Sequence, residues 1–146
     1  MADIKAFRAL RFDCQKAGDI AELTCPPYDI ISEQQRLEYI EKNEHNVIRL
    51  ELPREGEDPY AQAGRLEQQW EEEGILKRDE QECTYIYEEE FTVKGITRSI
   101  KGIVCLVKLT PFSEGVVLPH EFTLSKAKED RFNLMKSTFC NFSQIY

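Results

Sequence analysis

The chain has 146 residues, with 27 Asp and Glu against 19 Lys and Arg, a formal net charge of -8 and a mean hydropathy of -0.52. That is the length of one domain, able to bury about 70% of the surface its unfolded form exposes and so to build a core without disulfides or a structural metal. The longest uncharged apolar run, Gly102 to Val107, is too short to span a bilayer, and the first residues carry charge where a signal peptide is apolar. The net charge disfavours generic binding to DNA or anionic membranes, so the expectation is a cytoplasmic protein with no membrane or nucleic-acid partner.

The five cysteines (Cys14, Cys25, Cys83, Cys105 and Cys140) are odd in number, contain no C-x-x-C pair and lie far in sequence from His45 and His120. They read as reduced thiols, and no metal site is expected.

In chain order, Ile4 to Leu10 alternates apolar and basic side chains as a half-buried strand does. An irregular stretch follows, ending in Thr24-Cys25-Pro26-Pro27-Tyr28-Asp29, where two prolines impose an extended turn. Ser32 and Gln35 stand at capping-box spacing, which predicts a helix over 33–42. Val47 to Leu50 reads as a short strand. Asp58-Pro59 is an N-cap with proline at the first helical position, Tyr60, Ala63, Leu66 and Trp70 recur at core spacing, and Gly74 ends that helix. From Glu82 the period becomes two, with Lys94-Gly95 as a hairpin turn between Cys83–Val93 and Ile96–Leu109. Ile103 to Val107 is apolar on both strand faces, the pattern of a central strand covered on both sides. Val116 to Leu118 reads as a short strand, Ser125 caps a final helix to about Thr138, and Phe139 to Tyr146 resembles the start of another strand. Together these elements predict one α+β domain over 1–146, a mixed, mainly antiparallel sheet with two or three packing helices. The apolar, aromatic C-terminus is the kind expected of the N-terminal part of a longer chain, with a missing C-terminal part as its partner.

Charge is unevenly placed. Residues 1–50 hold 7 basic and 9 acidic side chains, residues 51–90 hold 4 and 14, and residues 91–146 hold 8 and 4. The runs Glu71-Glu72-Glu73 and Glu88-Glu89-Glu90 read as solvated faces.

The densest chemistry lies in the basic last third, between His120 and Arg131. Lys126, Lys128 and Arg131 can offset phosphate charge, and His120 or Glu121 can move a proton. At helical spacing Lys128 and Arg131 share a side, with Asp130 off to the flank. An exposed charged first turn, with a histidine making local hydrogen bonds, accounts for the same residues equally simply. The rigid turn at Pro26-Pro27 can aim Tyr28 and Asp29 at a ligand, or merely lead into a capped helix. Neither H-E-x-x-H, a P-loop, a G-x-G-x-x-G fingerprint nor a G-x-S-x-G elbow occurs.

Taken in order, Phe7-Arg8-Ala9-Leu10-Arg11, Pro26-Pro27-Tyr28-Asp29 with Ser32, Asp58-Pro59-Tyr60, and His120-Glu121-x-Thr123 through Lys128-Glu129-x-Arg131 resemble the N-terminal part of a prokaryotic family known as domain of unknown function 1015. Members of that family continue into a D-G-H-H-R-Y type segment similar to ParB and sulfiredoxin-like proteins. The resemblance implies a ParB/sulfiredoxin-like fold and phosphate chemistry on a nucleotide or other polyphosphate, with Mg, and it adds Thr123 to Tyr28 and Asp29 on the ligand side. Two functions follow as expectations: a nucleotide-dependent phosphotransferase acting on a small metabolite, inactive as this segment alone, or a non-enzymatic ParB-like nucleotide-binding or DNA-partition module. A structural or oligomerisation role is the third. Fold kinship fixes none of them.

Overall fold

The computed structural model describes residues 1–119 and 124–143. In chain order its elements are β1 (Ile4–Lys5), β2 (Leu10–Phe12), α1 (Cys14–Ala17), α2 (Ile20–Leu23), α3 (Glu33–Lys42), α4 (Ile48–Glu51), α5 (Pro59–Glu73), β3 (Leu76–Arg78), β4 (Tyr85–Val93), β5 (Ile96–Val104), β6 (Leu106–Val107) and α6 (Ser125–Thr138). Single 3-10 turns occupy Tyr28–Ile30 and Phe112–Glu114. The class is α+β, with short sheets of two strands each and antiparallel pairing of β1 with β6 and β4 with β5. The described residues divide into two compact units, Met1–Ala9 with Arg78–Phe122, and Leu10–Lys77 with Thr123–Tyr146. No described helix is long and apolar enough to cross a membrane.

The first unit is built on the β4–β5 hairpin, whose register runs from Tyr85↔Val104 to Val93↔Ile96. Lys94 and Gly95 both take left-handed φ, 52° and 76°, which matches the turn to the twist of the strands it joins. The base of the hairpin is closed by the N-terminal segment. There β1 pairs with β6, Phe7 bridges Cys83, and the Tyr85 ring lies 5.1 Å from that of Phe7. The Tyr85 hydroxyl donates to Asp79 Oδ2 at 2.6 Å and accepts from the Ala9 N–H at 2.9 Å, and the bond to Asp79 raises its pKa. Tying residues 7–9 down in this way divides the expected strand from Ile4 to Leu10 into β1, a lone bridge and β2.

Among the described residues, the expected cover on both faces of Ile103 to Val107 is not found. Ile103 is 68% exposed and Leu106 53%, because β5 and β6 each have one partner strand and Cys105 interrupts them. Nor is Val116 to Leu118 a strand, since Gly115 turns into the left-handed region just before it and no ladder forms.

The second unit holds the core, in which Ala17, Leu23, Leu50, Leu66, Trp70, Ile75 and Leu76 are buried together, with Leu10, Phe12 and Phe142 packed against them. α3 begins at the predicted capping box, where the Ser32 hydroxyl accepts from the Gln35 N–H and the Gln35 side chain accepts from the Ser32 N–H. α5 begins on Asp58, which accepts from the Ala61 N–H, and ends at Gly74 with φ 72°. Ala63, Leu66 and Trp70 are buried as their spacing predicts, whereas Tyr60 is half-buried and turned to a polar use described below.

Four further expectations change. The stretch before Pro26 contains α1 and α2, nucleated by Asp13 and Asp19, whose carboxylates accept from Gln15 and Ala21 N–H groups. Over Val47 to Leu50 the expected strand is replaced by the start of α4, with Val47 at its N-cap, because Asn46 Oδ1 accepts from the Ile48 N–H and starts a helical turn that β-branched residues alone would not favour. α6 ends at Thr138 as expected, but Ser125 is its first helical residue and Leu124 occupies the N-cap without a side-chain bond. Phe139, with φ 53°, closes α6, and Asn141 to Ser143 form no strand; the rest of that expected strand, Gln144 to Tyr146, lies outside the described residues.

Arg36, 2% exposed, fastens α3 to the loop before α5. It donates to the Leu52 carbonyl at 2.9 Å and pairs with Glu33 and Glu55. Burial alone would raise the Glu55 pKa, but hydrogen bonds from Arg54 and Arg36 and the charge of Arg36 hold it below the usual range.

Candidate functional site

The segment carrying Tyr28 is set by a buried asparagine. Asn46, 0% exposed, donates from Nδ2 to the Glu22 carbonyl at 2.7 Å and the Thr24 carbonyl at 3.1 Å, and the Val47 N–H donates to Leu23 at 2.8 Å. With α2 anchored, Pro26 and Pro27 direct the chain into the 3-10 turn at Tyr28–Ile30, leaving Tyr28 half-buried.

Against the Tyr28 ring stands Arg131 of α6, its guanidinium carbon 3.7 Å from the ring centroid. Face-on stacking at this distance contributes about 1 kcal/mol at a partly exposed site. The same guanidinium donates from Nε at 2.9 Å and from Nη2 at 2.5 Å to Asp130 Oδ2. The other Asp130 oxygen accepts from the Tyr60 hydroxyl at 2.8 Å, a contact between α5 and α6. Burial pushes the Asp130 carboxyl up, but hydrogen bonds from Arg131 and Tyr60 and the charges of Arg131 and Arg54 outweigh it and hold the group below its ordinary value. Tyr60 is pushed up by the bond it donates to that carboxylate, then by burial.

Of the residues the sequence singled out, Tyr28 and Arg131 are therefore brought together, although they are remote in the chain. Lys126 and Lys128 are exposed on the first turns of α6, and Asp29 is exposed beside Tyr28 in the sequence. His120, Glu121 and Thr123 lie outside the described residues.

Tyr60 and Asp130 were not legible as site residues. Core spacing accounts for Tyr60, and beyond its place in the Asp58-Pro59-Tyr60 motif the signal for a site role is a hydroxyl that needs a partner when half-buried. Asp130 was placed on the flank of the helix, since adjacent helical side chains do not face each other. The long Arg131 side chain folds back to reach it.

The arrangement is an arginine held on one face by an aromatic ring and on one edge by a carboxylate, with two lysines nearby in sequence. Such groups recognise anions, the lysines as point charges and the arginine as a planar fork. Among the described residues, no three His, Cys, Asp or Glu side chains gather in a way that could hold a metal ion.

Comparison with curated proteins and with solved structures yields no match. The family described as "Protein of unknown function (DUF1015)" matches residues 4–146, nearly the whole chain, and takes in both the Pro26–Asp29 turn and the α6 block; the chain belongs to this family.

Proposed function

We propose that this protein binds the phosphate groups of a nucleotide or phosphorylated metabolite and serves a nucleotide-dependent phosphotransferase. In this reading Lys126, Lys128 and Arg131 meet the phosphates, Tyr28, Asp29 and Thr123 bound the ligand, and His120 and Glu121 handle the proton. The observation that supports it most is the stacking of Arg131 on Tyr28, which joins two segments picked out independently for anion and ligand chemistry. Phosphoryl transfer depends mainly on positioning and charge stabilisation, which an immobilised guanidinium supplies.

Calorimetric titration of ATP with Mg2+, and of inorganic pyrophosphate, into the wild-type protein and Arg131→Ala tests this. Saturable binding that weakens at least about tenfold in Arg131→Ala is the expected result, the effect of losing a charged hydrogen-bond donor. No binding of either compound defeats the proposal. Salt-dependent retention of duplex DNA in place of nucleotide would turn the reading towards a partition module.

A further inference from the structure

Resting on the phosphate reading above, we infer that Tyr60 and Asp130 are positioning residues that lock the Arg131 guanidinium so that its Nη1–Nη2 edge engages two oxygens of one phosphoryl group. Arginine carries five N–H donors in a plane. Asp130 Oδ2 takes the Nε donor and one from Nη2, which leaves the second Nη2 donor and one Nη1 donor along the adjacent Nη1–Nη2 edge, the other Nη1 donor pointing to the Cδ side. Among the described residues that edge has no partner. Tyr28 covers one face of the plane, so both its tilt and its rotation are set before a ligand arrives.

Asp130 can act as a bracket because it is itself held. Its second oxygen is fixed by the Tyr60 hydroxyl from another helix, so the carboxylate cannot swing away with the Arg131 side chain. The chain of contacts thus runs from α5 through Tyr60 and Asp130 to Arg131 and on to Tyr28. The side chains of Arg131 and Asp130 are 22% and 28% exposed, enough for a ligand to reach the open edge. Because Asp130 offsets the charge of Arg131, net attraction for an anion comes from exposed Lys126 and Lys128, and Arg131 contributes direction. An oriented fork of this kind binds phosphate or carboxylate through paired bonds that a lysine cannot reproduce.

The test measures inorganic pyrophosphate binding by calorimetry for wild type, Arg131→Ala, Arg131→Lys, Asp130→Asn and Tyr60→Phe, with thermal melts and the NMR signals of the arginine Nε–H groups. Arg131→Lys is expected to bind nearly as poorly as Arg131→Ala, Asp130→Asn about tenfold and Tyr60→Phe about threefold more weakly than wild type. A slowly exchanging Nε–H signal, assigned by its loss in Arg131→Lys, should broaden in Tyr60→Phe and vanish in Asp130→Asn. If Arg131→Ala weakens binding while Asp130→Asn and Tyr60→Phe match wild type, the positioning role is overturned and the phosphate reading stands. Wild-type affinity in Arg131→Ala, or no binding by wild type, removes both. Should Asp130→Asn fail to fold, Tyr60→Phe, which removes only a hydroxyl, decides the matter alone.

Discussion

Gly64 of α5 and Ser137 of α6 meet so closely that a Cβ on Gly64 would stand 2.4 Å from the Ser137 carbonyl oxygen. The same two helices carry Tyr60 and Asp130, so this contact sets the helix spacing on which their hydrogen bond depends. Gly64→Ala should gain about 1 kcal/mol from helix propensity, yet the added methyl meets backbone that cannot rotate aside. Overpacking of this kind costs about 1–3 kcal/mol, so a net loss is expected in urea unfolding. Stability equal to or above wild type would show that α6 can move away at no cost.

What the sequence revealed and what it concealed divide by distance along the chain. Ser32 with Gln35, Asp58 with Pro59, and Lys94 with Gly95 each state their structure within a few residues, and each forms as read. Val47 to Leu50 went the other way because a neighbouring amide, Asn46, supplied the first turn of a helix. The apolar pattern of Ile103 to Val107 reports that both faces avoid water, but not whether anything is there to cover them. Tyr60 and Asp130 are 70 positions apart, and no local pattern signals a hydroxyl donating to a carboxylate across that separation. The candidate anion site was therefore visible as two motifs, while the stacking that joins them and the Tyr60–Asp130 bracket behind Arg131 were not.

Asn46, itself fully buried, satisfies three backbone groups: the part-buried Glu22 and Thr24 carbonyls and the buried Ile48 N–H. Asn46→Ala removes this partner from all three, leaving the buried Ile48 N–H unpaired, and a loss of about 2 kcal/mol is expected. Asn46→Asp should be worse, since it sets a carboxylate against two carbonyl oxygens. Because these bonds anchor the segment leading to Tyr28, both changes should also speed amide exchange at residues 23–28. Urea midpoints and hydrogen exchange check this, and a midpoint unchanged in Asn46→Ala would mean that the clamp adds nothing.

The Cys25 thiol is pushed from 9.0 up to about 11, first by burial and then by the charge of Glu51. At pH 8 its thiolate fraction is about a hundredfold below that of a thiol at the ordinary value, while the greater basicity of the thiolate recovers about a factor of ten. Alkylation of Cys25 should thus run about tenfold or more behind that of Cys14 and Cys83, both exposed. Linkage adds a second consequence. Between roughly pH 9 and 11 the unfolded chain has released the Cys25 proton and the folded chain has kept it, so stability falls as pH rises through that window. Cys25→Ser should flatten that part of the curve, because a hydroxyl does not ionise there. Peptide mass spectrometry of alkylation rates and urea unfolding from pH 8 to 11 check both outcomes. Equal labelling of Cys25 and Cys14 would show that the thiol is open to solvent, and an unchanged pH slope in Cys25→Ser would assign the alkaline loss of stability to other groups.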